Sequence, residues 1–413
     1  ATFDITGKGN LVKQGEGWML MQGAFAYTGT TYVEAGVLRL AEGTTLENGS
    51  VYIESTAALH LNLQSEARLS IVNGTGSILL DGTSLTVDSK GRDLTYNVTI
   101  DGYGDLTKTG TGKLSIASAN ESYTGHVTVE QGTLELANAD ALSRADGITL
   151  TAKDENSLGG RLQVANGTNA VIDGLYSGWI DVNATPEDPT DDVAVTSAVV
   201  DLGTAGSSLS ISRGEFAGVI VGQGNLVKDN IGGKGGVDEN LRLILSHQNL
   251  YTGATLINAG VLEVRDENAI NRSATTTISG TAALEFNVPI VLGPGDEPLA
   301  WNYDGKIASG ADGDGYIVKS GDGTLVLSGD NTGFSGSFQV RGGRLEIAEI
   351  KSLGNLDLVT IDLGSKVDPT DATATMGDFG IVSTAEGTGI FELTTNEDIT
   401  FDVPLVGDGS FIK

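Results

Sequence analysis

The sequence predicts an all-β solenoid, a single elongated rod assembled from short strands. Three observations favour this fold class: a motif that returns about every 95 residues, short stretches in which apolar and polar residues alternate, and 59 glycines among 413 residues. Alternation over four to six residues between glycine and Asn or Asp is typical of strands. A closed barrel cannot hold four such large units in one lumen, whereas a solenoid grows by adding them.

The motif opens with a Gly-x-Gly pair, and a lysine follows six positions after the first glycine. These first glycines are 95, 120, 91 and 94 residues apart, so supra-repeats are expected to start near residues 7, 102, 222 and 313, with a truncated one at 407. A fixed period of this kind is the signature of a repeat architecture. The four complete pairs are Gly7 and Gly9, Gly102 and Gly104, Gly222 and Gly224, and Gly313 and Gly315.

Each full copy continues with an aromatic-hydroxyl-glycine triplet, and a further glycine stands nine residues after the aromatic residue. The four aromatic residues are Tyr27, Tyr123, Tyr251 and Phe334. We expect coils of about 20–25 residues, with glycine at the tight bends between them. A propeller is the structural alternative, but its blades run to about 40–50 residues and carry other signatures.

Composition excludes several classes of partner. The chain holds 54 acidic and 24 basic residues, a formal net charge of −30, which argues against nucleic acid and against anionic membrane surfaces. Cysteine is absent, so neither disulfides nor thiolate chemistry is available. No stretch approaches 18 continuous apolar residues, so no membrane-spanning helix is expected.

Residues Gly102 to Leu136 resemble the passenger-associated transport repeat of Gram-negative autotransporters. That pattern runs Gly-x-Gly-x-Leu-x-Lys-x-Gly-x-Gly-x-Leu-x-Leu, then Tyr-Thr-Gly, then Gly-x-Leu, and this stretch matches it nearly position for position. The resemblance implies a right-handed parallel β-helix that is exported through the outer membrane and displayed on the bacterial cell surface. The lack of cysteine fits a chain that crosses the periplasm unfolded.

We expect residues 1–413 to form one β-helical passenger segment that continues in the native polypeptide. The sequence stops in mid-motif at Lys413, and it contains neither a signal peptide nor the family's C-terminal β-barrel translocator.

Three interruptions of the repeat read as loops, and loops on a rigid solenoid are common binding sites. The stretch of about 175–214 holds Trp179 and an acidic run, and reads as a protruding loop; residues 232–240 read as an insert. A third interruption contains Trp301 and Tyr303. Solvated loops and a buried tryptophan are the alternatives. The weak binding candidates are Trp179, Glu187, Asp188, Asp191, Asp192, Trp301 and Tyr303.

No catalytic residues, metal site or cofactor are predicted. The three histidines, His60, His126 and His247, fall in different supra-repeats, and surface positions are expected for them. The predicted function is a non-catalytic adhesin that binds a host-surface protein or glycan, or a second copy of itself on a neighbouring cell. The alternatives are a glycan-degrading enzyme on the same scaffold and a passive stalk that displays a missing domain.

Overall fold

A computed structural model describes most of the chain. The described residues are 5–23, 25–41, 44, 46, 49–62, 66–69, 71–152, 157–180, 193–231, 241–293, 298–311, 313, 315–340, 344–348, 350–354, 360–362, 380–384, 388–392, 405–406 and 410–412. They divide into two compact units: residues 1–210 with 217–223, and residues 211–216 with 224–413. We describe each unit by itself.

The first unit is built from parallel strands that pair with the equivalent strand of the next coil. A first sheet contains Leu11–Lys13, Thr31–Val33, Ser50–Ile53 and Ile71–Gly74; a second contains Trp18–Met21, Gly36–Leu40, Ala57–Leu61, Ser77–Leu80 and Thr99–Gly102. A third contains Ala67–Leu69, Leu85–Asp88, Leu106–Thr109, Val127–Val129, Ile148–Leu150 and Asn169–Ser177; a fourth contains Leu94–Tyr96, Lys113–Ile116, Thr133–Leu136, Arg161–Val164, Val199–Asp201 and Val219–Val221. Ile5–Gly7 pairs with Phe25–Tyr27.

The second unit continues the same plan. One series of parallel strands contains Asn225–Lys228, Thr255–Ile257, Thr276–Ile278 and Ile307–Ser309. Another runs through Ser208–Phe216, Arg242–Leu245, Val261–Val264, Ala283–Asn287, Tyr316–Ser320, Ser337–Val340, Thr360–Asp362 and Leu405–Val406. A further sheet contains Val291–Leu292, Pro298–Tyr303, Thr324–Leu327, Arg344–Ile347, Gly380–Thr384, Thr388–Glu392 and Ser410–Ile412. Ile350–Leu353 is a 3₁₀ helix.

The coils are short and regular. Along one ladder of the second sheet, Leu20, Arg39, His60, Leu79 and Asp101 face one another in turn, 19, 21, 19 and 22 residues apart. The prediction of an all-β parallel β-helix is thus confirmed. No helix in the described ranges is long and apolar enough to cross a membrane.

The core is a set of inward side chains stacked from coil to coil. In the second sheet Leu38, Leu59, Ile78 and Ile100 lie in one register, and each is fully buried. Coils stacked at about 4.8 Å bring these aliphatic groups into direct contact. Burial of each side chain contributes about 1.5–3 kcal/mol to the free energy of folding. The alternation of apolar and polar residues therefore stabilises every coil.

Strands also occupy parts of the stretch for which a protruding loop was predicted. Asn169–Ser177, Val199–Asp201 and Ser208–Phe216 all fall wholly or partly within 175–214. Trp179–Ile180 and Val193–Ala194 form an antiparallel pair, and residues 181–192 between them lie outside the described residues, as does the predicted insert at 232–240. The glycine at which the truncated repeat begins, at 407, also lies outside them.

Replacing Ile78 with alanine should lower the free energy of unfolding by about 2–5 kcal/mol, because the smaller side chain leaves a cavity between the stacked side chains of Leu59 and Ile100. Urea denaturation measures the loss. Leu79→Ala is the matched control, since this neighbour on the same strand is 37% exposed and should cost about 0.5 kcal/mol. Equal losses would contradict the assignment of faces.

Candidate functional site

The first glycine of each motif is required by its backbone. Gly7, Gly102, Gly222 and Gly313 have φ of 119°, 105°, 105° and 129°, a region that side-chain-bearing residues rarely adopt. A Cβ on Gly102 would also collide with the carbonyl oxygen of Leu80 in the preceding coil. Glycine therefore recurs at these positions because the backbone bends there from one face of the coil to the next.

The lysine of each motif is buried, which sequence reasoning missed. Lys108, Lys228 and Lys319 are fully buried and Lys13 is 5% exposed. The Lys108 ammonium donates to the carbonyl oxygens of Thr109 and Gly110 at 2.7 Å, in its own coil, and of Gln131 at 3.1 Å in the next. One ammonium thereby joins the turns of two successive coils.

The other copies repeat this arrangement with their own carbonyls. Lys13 donates to Gly15 at 2.6 Å and to Ala35 of the next coil at 2.8 Å. Lys228 donates to Ala259 of the next coil at 2.8 Å, and Lys319 donates to Gly321 at 2.7 Å. The sequence shows this lysine at a constant distance from the first glycine of each motif. Because lysine is usually exposed to solvent, the constant position did not by itself predict burial.

Burial shifts the titration of these groups. It lowers the pKa of Lys108 to about 8, although Asp88 acts in the opposite direction, and it lowers the pKa of Lys228 to about 8 and that of Lys319 to about 7. An unfolded lysine titrates at about 10.4. Between these values the unfolded chain binds protons that the folded chain has released, so stability should rise with pH across this window.

The aromatic residue of each motif lies in the core. Tyr27, Tyr123, Tyr251 and Phe334 are 4%, 0%, 1% and 0% exposed, and burial raises the pKa of the three tyrosines. Each tyrosine hydroxyl has a partner a few residues ahead: Tyr251 bonds Thr255 Oγ1 at 2.5 Å, and Tyr123 donates to the carbonyl of His126 at 3.0 Å.

In the copy with phenylalanine the aromatic residue has an apolar partner in place of a polar one. Phe334 lacks a hydroxyl, and four residues ahead it meets Phe338 edge-on, with ring centroids 5.7 Å apart. The polar partner thus disappears together with the hydroxyl that needed it.

Buried asparagines shortly before the aromatic residues form a second link between coils. Asn120 Oδ1 accepts from the backbone N–H of Ile100 at 2.7 Å in one coil, and its Nδ2 donates to Ala141 at 2.8 Å in another. Asn331 does the same between Ile307 and Ser352, each at 2.8 Å. These side chains satisfy backbone groups where the ladder is interrupted by a turn.

We expect Lys108→Met to lower stability, because three carbonyls lose their donor, a loss of about 1–3 kcal/mol. The loss should be larger at pH 10 than at pH 7, since the wild-type chain gains stability between pH 8 and 10.4 and the variant lacks that gain. Urea denaturation at both pH values measures it. Lys113→Met, at a half-buried lysine paired with Glu135, is the control; a loss independent of pH would contradict the role assigned to Lys108.

The family model described as the passenger-associated transport repeat matches residues 11–40, 106–136, 242–264 and 317–347, and each match contains the aromatic residue of one motif, Tyr27, Tyr123, Tyr251 or Phe334. The chain is 28% identical over 434 aligned residues to a Brucella suis biovar 1 (strain 1330) protein called Adhesin BmaC autotransporter. The chain thus carries four copies of the transport repeat of autotransporter passengers.

That alignment covers 96% of the passenger segment and 12% of the relative, so the segment spans about one eighth of the relative's length. No solved structure matches the chain. Export across the outer membrane and exposure at the cell surface, which the sequence predicted, are confirmed by the family repeat and the relative.

The weak binding candidates have different positions in the passenger. Trp179 lies on a strand of the antiparallel pair, and Glu187, Asp188, Asp191 and Asp192 lie outside the described residues. Trp301 and Tyr303 are 8% and 2% exposed.

Trp301 and Tyr303 point into the second unit because they alternate with exposed neighbours on Pro298–Tyr303. Tyr303 packs against Phe286, with ring centroids 5.0 Å apart, and its hydroxyl lies 3.2 Å from Thr276 Oγ1. Burial raises the pKa of Tyr303 to about 12. Both rings are therefore buried in the core of the second unit.

The histidines remain apart, and one departs from the surface position expected for it. His60 is 8% exposed, because Arg39 and Leu79 flank it on the outward ladder, and its Nε2 lies 3.6 Å from Asp81. His126 bonds Thr149 Oγ1, and both His126 and His247 are half-buried. Within the part of the chain that the structure describes, no three His, Asp or Glu residues form a group that could hold a metal ion.

A network of opposite charges covers one face of the second unit. Arg242 bonds Glu263 at 2.5 Å and Glu285 at 2.7 Å, and Arg265 bonds Glu263 at 2.6 Å and Glu215 at 3.1 Å. Although burial would raise the pKa of Glu263, hydrogen bonds from Asn287, Arg265 and Arg242 hold it below its usual value. Glu263 and Glu285 occupy one register on adjacent coils, so the arginines hold together two acids that would otherwise repel.

Glu263→Gln should destabilise the passenger by about 1–3 kcal/mol at pH 7. This loss is smaller than that from breaking a fully buried ion pair, because Arg242 still bonds Glu285 and still contacts solvent. A carboxylate with a lowered pKa contributes stability above its unfolded pKa of about 4.3, and this is lost as pH falls. The deficit measured by urea denaturation should therefore shrink at pH 3. Glu66→Gln, in an exposed pair with Arg68, is the control.

Proposed function

We propose that the passenger segment is a non-catalytic cell-surface adhesin. The observation that carries this is the alignment over 96% of the chain with a protein named as an autotransporter adhesin. Its partners would be a host-surface protein or glycan, or a second copy of the passenger on a neighbouring cell.

The geometry supports adhesion through faces. Because every coil adds one strand to each sheet, outward side chains on successive coils stand about 4.8 Å apart in straight ladders. Such ladders present several side chains at fixed spacing to a partner. Many weak contacts between two cells then add up through multivalency, so no single ligand cleft is needed.

The test displays the chain on a non-adherent bacterium through a translocator. Adhesion to host cells and settling of the suspension are measured against the same bacterium that displays an unrelated β-helix of equal length. A gain in either assay is the expected result, because the control supplies the same reach without these faces. The absence of a gain in both would overturn the proposal, and turnover of a glycan panel by the purified chain would favour the enzyme instead.

A further inference from the structure

An outward ladder on the first sheet of the first unit carries two tyrosines on consecutive coils. The register of the sheet places Val12, Tyr32, Tyr52 and Asn73 in one line. We call this line the Tyr32 ladder. It faces outward, because the residues on either side of each tyrosine are buried in the core and successive side chains of a strand point to opposite faces.

The two tyrosine rings form one aromatic surface. Their centroids are 6.0 Å apart with the planes tilted by 41°, and both rings are half-buried against the sheet. Val12, one coil before Tyr32, is 47% exposed and extends this surface by an apolar group. Among the described residues neither hydroxyl of the ladder has a hydrogen-bond partner, whereas those of Tyr123 and Tyr251 each have one. The two hydroxyls are therefore donors that a ligand can use.

Acidic side chains line one side of the Tyr32 ladder. Glu34 and Glu54 each follow a tyrosine by two positions, and both are exposed. The Glu34 carboxylate accepts a hydrogen bond from Gln14 Nε2 at 2.8 Å, and within the described part of the chain neither glutamate forms a salt bridge. No lysine or arginine occupies an outward strand position of this sheet. Because the two carboxylates have no counter-charge on this face, the ladder favours a partner with basic residues.

The spacing of the coils matches one extended conformation of a peptide. The polyproline II helix has three residues per turn and rises about 3.1 Å per residue, so it repeats about every 9.3 Å. Two coils of the first unit span about 9.6 Å. A segment that runs along the stack of coils therefore brings every third residue level with every second coil, here with Val12 and Tyr52. Its backbone carbonyls make no internal hydrogen bonds, so they can accept from the tyrosine hydroxyls.

We propose that the Tyr32 ladder binds a proline-rich segment in the polyproline II conformation that carries lysine or arginine. Its proline rings pack against Val12, Tyr32 and Tyr52, as such segments do in aromatic-lined grooves. The tyrosine hydroxyls donate to its carbonyls, and Glu34 and Glu54 pair with its basic side chains. A neutral glycan also stacks on aromatic rings, but it offers no positive charge to the two carboxylates. The proposal rests on the proposed adhesin function and names the class of protein segment that one face recognises.

The length of the ladder sets the strength of the contact. Its four coils span about 14 Å, which about five residues of a polyproline II helix cover. Such a contact is far smaller than a standard protein interface of about 800 Å² per partner, so one site binds weakly. Many displayed copies would strengthen the attachment by avidity.

The test titrates the full chain with a synthetic peptide of four Pro-Pro-Arg triplets in isothermal titration calorimetry. We expect saturable binding of this peptide. Two control peptides should bind at least ten-fold more weakly. Gly-Gly-Arg triplets keep the charge without the conformation, and Pro-Pro-Glu triplets keep the conformation with the opposite charge.

Substitutions separate the aromatic ring, its hydroxyl and the acids. Tyr52→Ala should weaken binding of the Pro-Pro-Arg peptide at least ten-fold, whereas Tyr52→Phe keeps the ring and should weaken it about three-fold, because one hydrogen bond is lost. Glu34→Gln combined with Glu54→Gln should weaken binding at low salt and remove most of its salt dependence. Tyr103→Ala, at a tyrosine that is 62% exposed outside the ladder, is the matched control and should bind as wild type does.

Urea denaturation midpoints show whether each variant is folded, and Tyr52→Phe keeps the test decisive if Tyr52→Ala is not. Three results overturn the proposal: no saturable binding by the wild-type chain, equal binding of the Gly-Gly-Arg peptide, or unchanged binding by the Tyr52 variants. A neutral oligosaccharide that binds in place of the peptide, and that Tyr52→Ala no longer binds, also overturns it.

The proposed adhesin function fails on different results. Displayed wild-type cells that adhere, although the purified chain binds no peptide, leave that function standing and remove the peptide site. Peptide binding in solution without adhesion on display removes the function and leaves the site.

Discussion

The fold of the passenger depends on one constraint: each coil must match its neighbour strand by strand at the spacing of a parallel β-ladder. In this arrangement the partner of a residue is the residue one coil later, so an inward apolar position is stabilised only if the same position is apolar in the next coil. Leu38, Leu59, Ile78 and Ile100 satisfy that condition in the second sheet. Most strands have three to five residues, and those inside a sheet are bonded on both sides.

The same constraint explains the polar residues of the core. At a turn the chain leaves the ladder, and backbone carbonyls and N–H groups would be buried without partners. The lysine ammoniums and the asparagine amides supply those partners, and they do so across two coils at once, as Lys108 and Asn120 show. The transport repeat is, in physical terms, a set of residues that close a turn and fasten it to the next one.

Stacking between coils constrains the inward positions of the passenger. The outward positions are free of this constraint. The two units use them differently. In the second unit Glu263 and Glu285 are neutralised by arginines on the same surface. In the first unit the apolar side chains of Trp18, Leu20 and Leu79, on the outward side of the second sheet, remain exposed.

The sequence by itself determined the period, the positions of the bends and the fold class, because glycine at φ near +105° and alternation of apolar residues are local requirements. It did not determine which polar residues are buried: Lys108, Trp301 and Tyr303 look like surface or ligand-binding residues until the next coil covers them. Nor did it determine which outward residues meet, since the distance between partners varies from 19 to 22 residues in one ladder. A change of one residue in coil length turns a side chain to the other face, so only the tertiary structure could align Arg39 with Asp101 on one ladder or place Arg242 beside two acids.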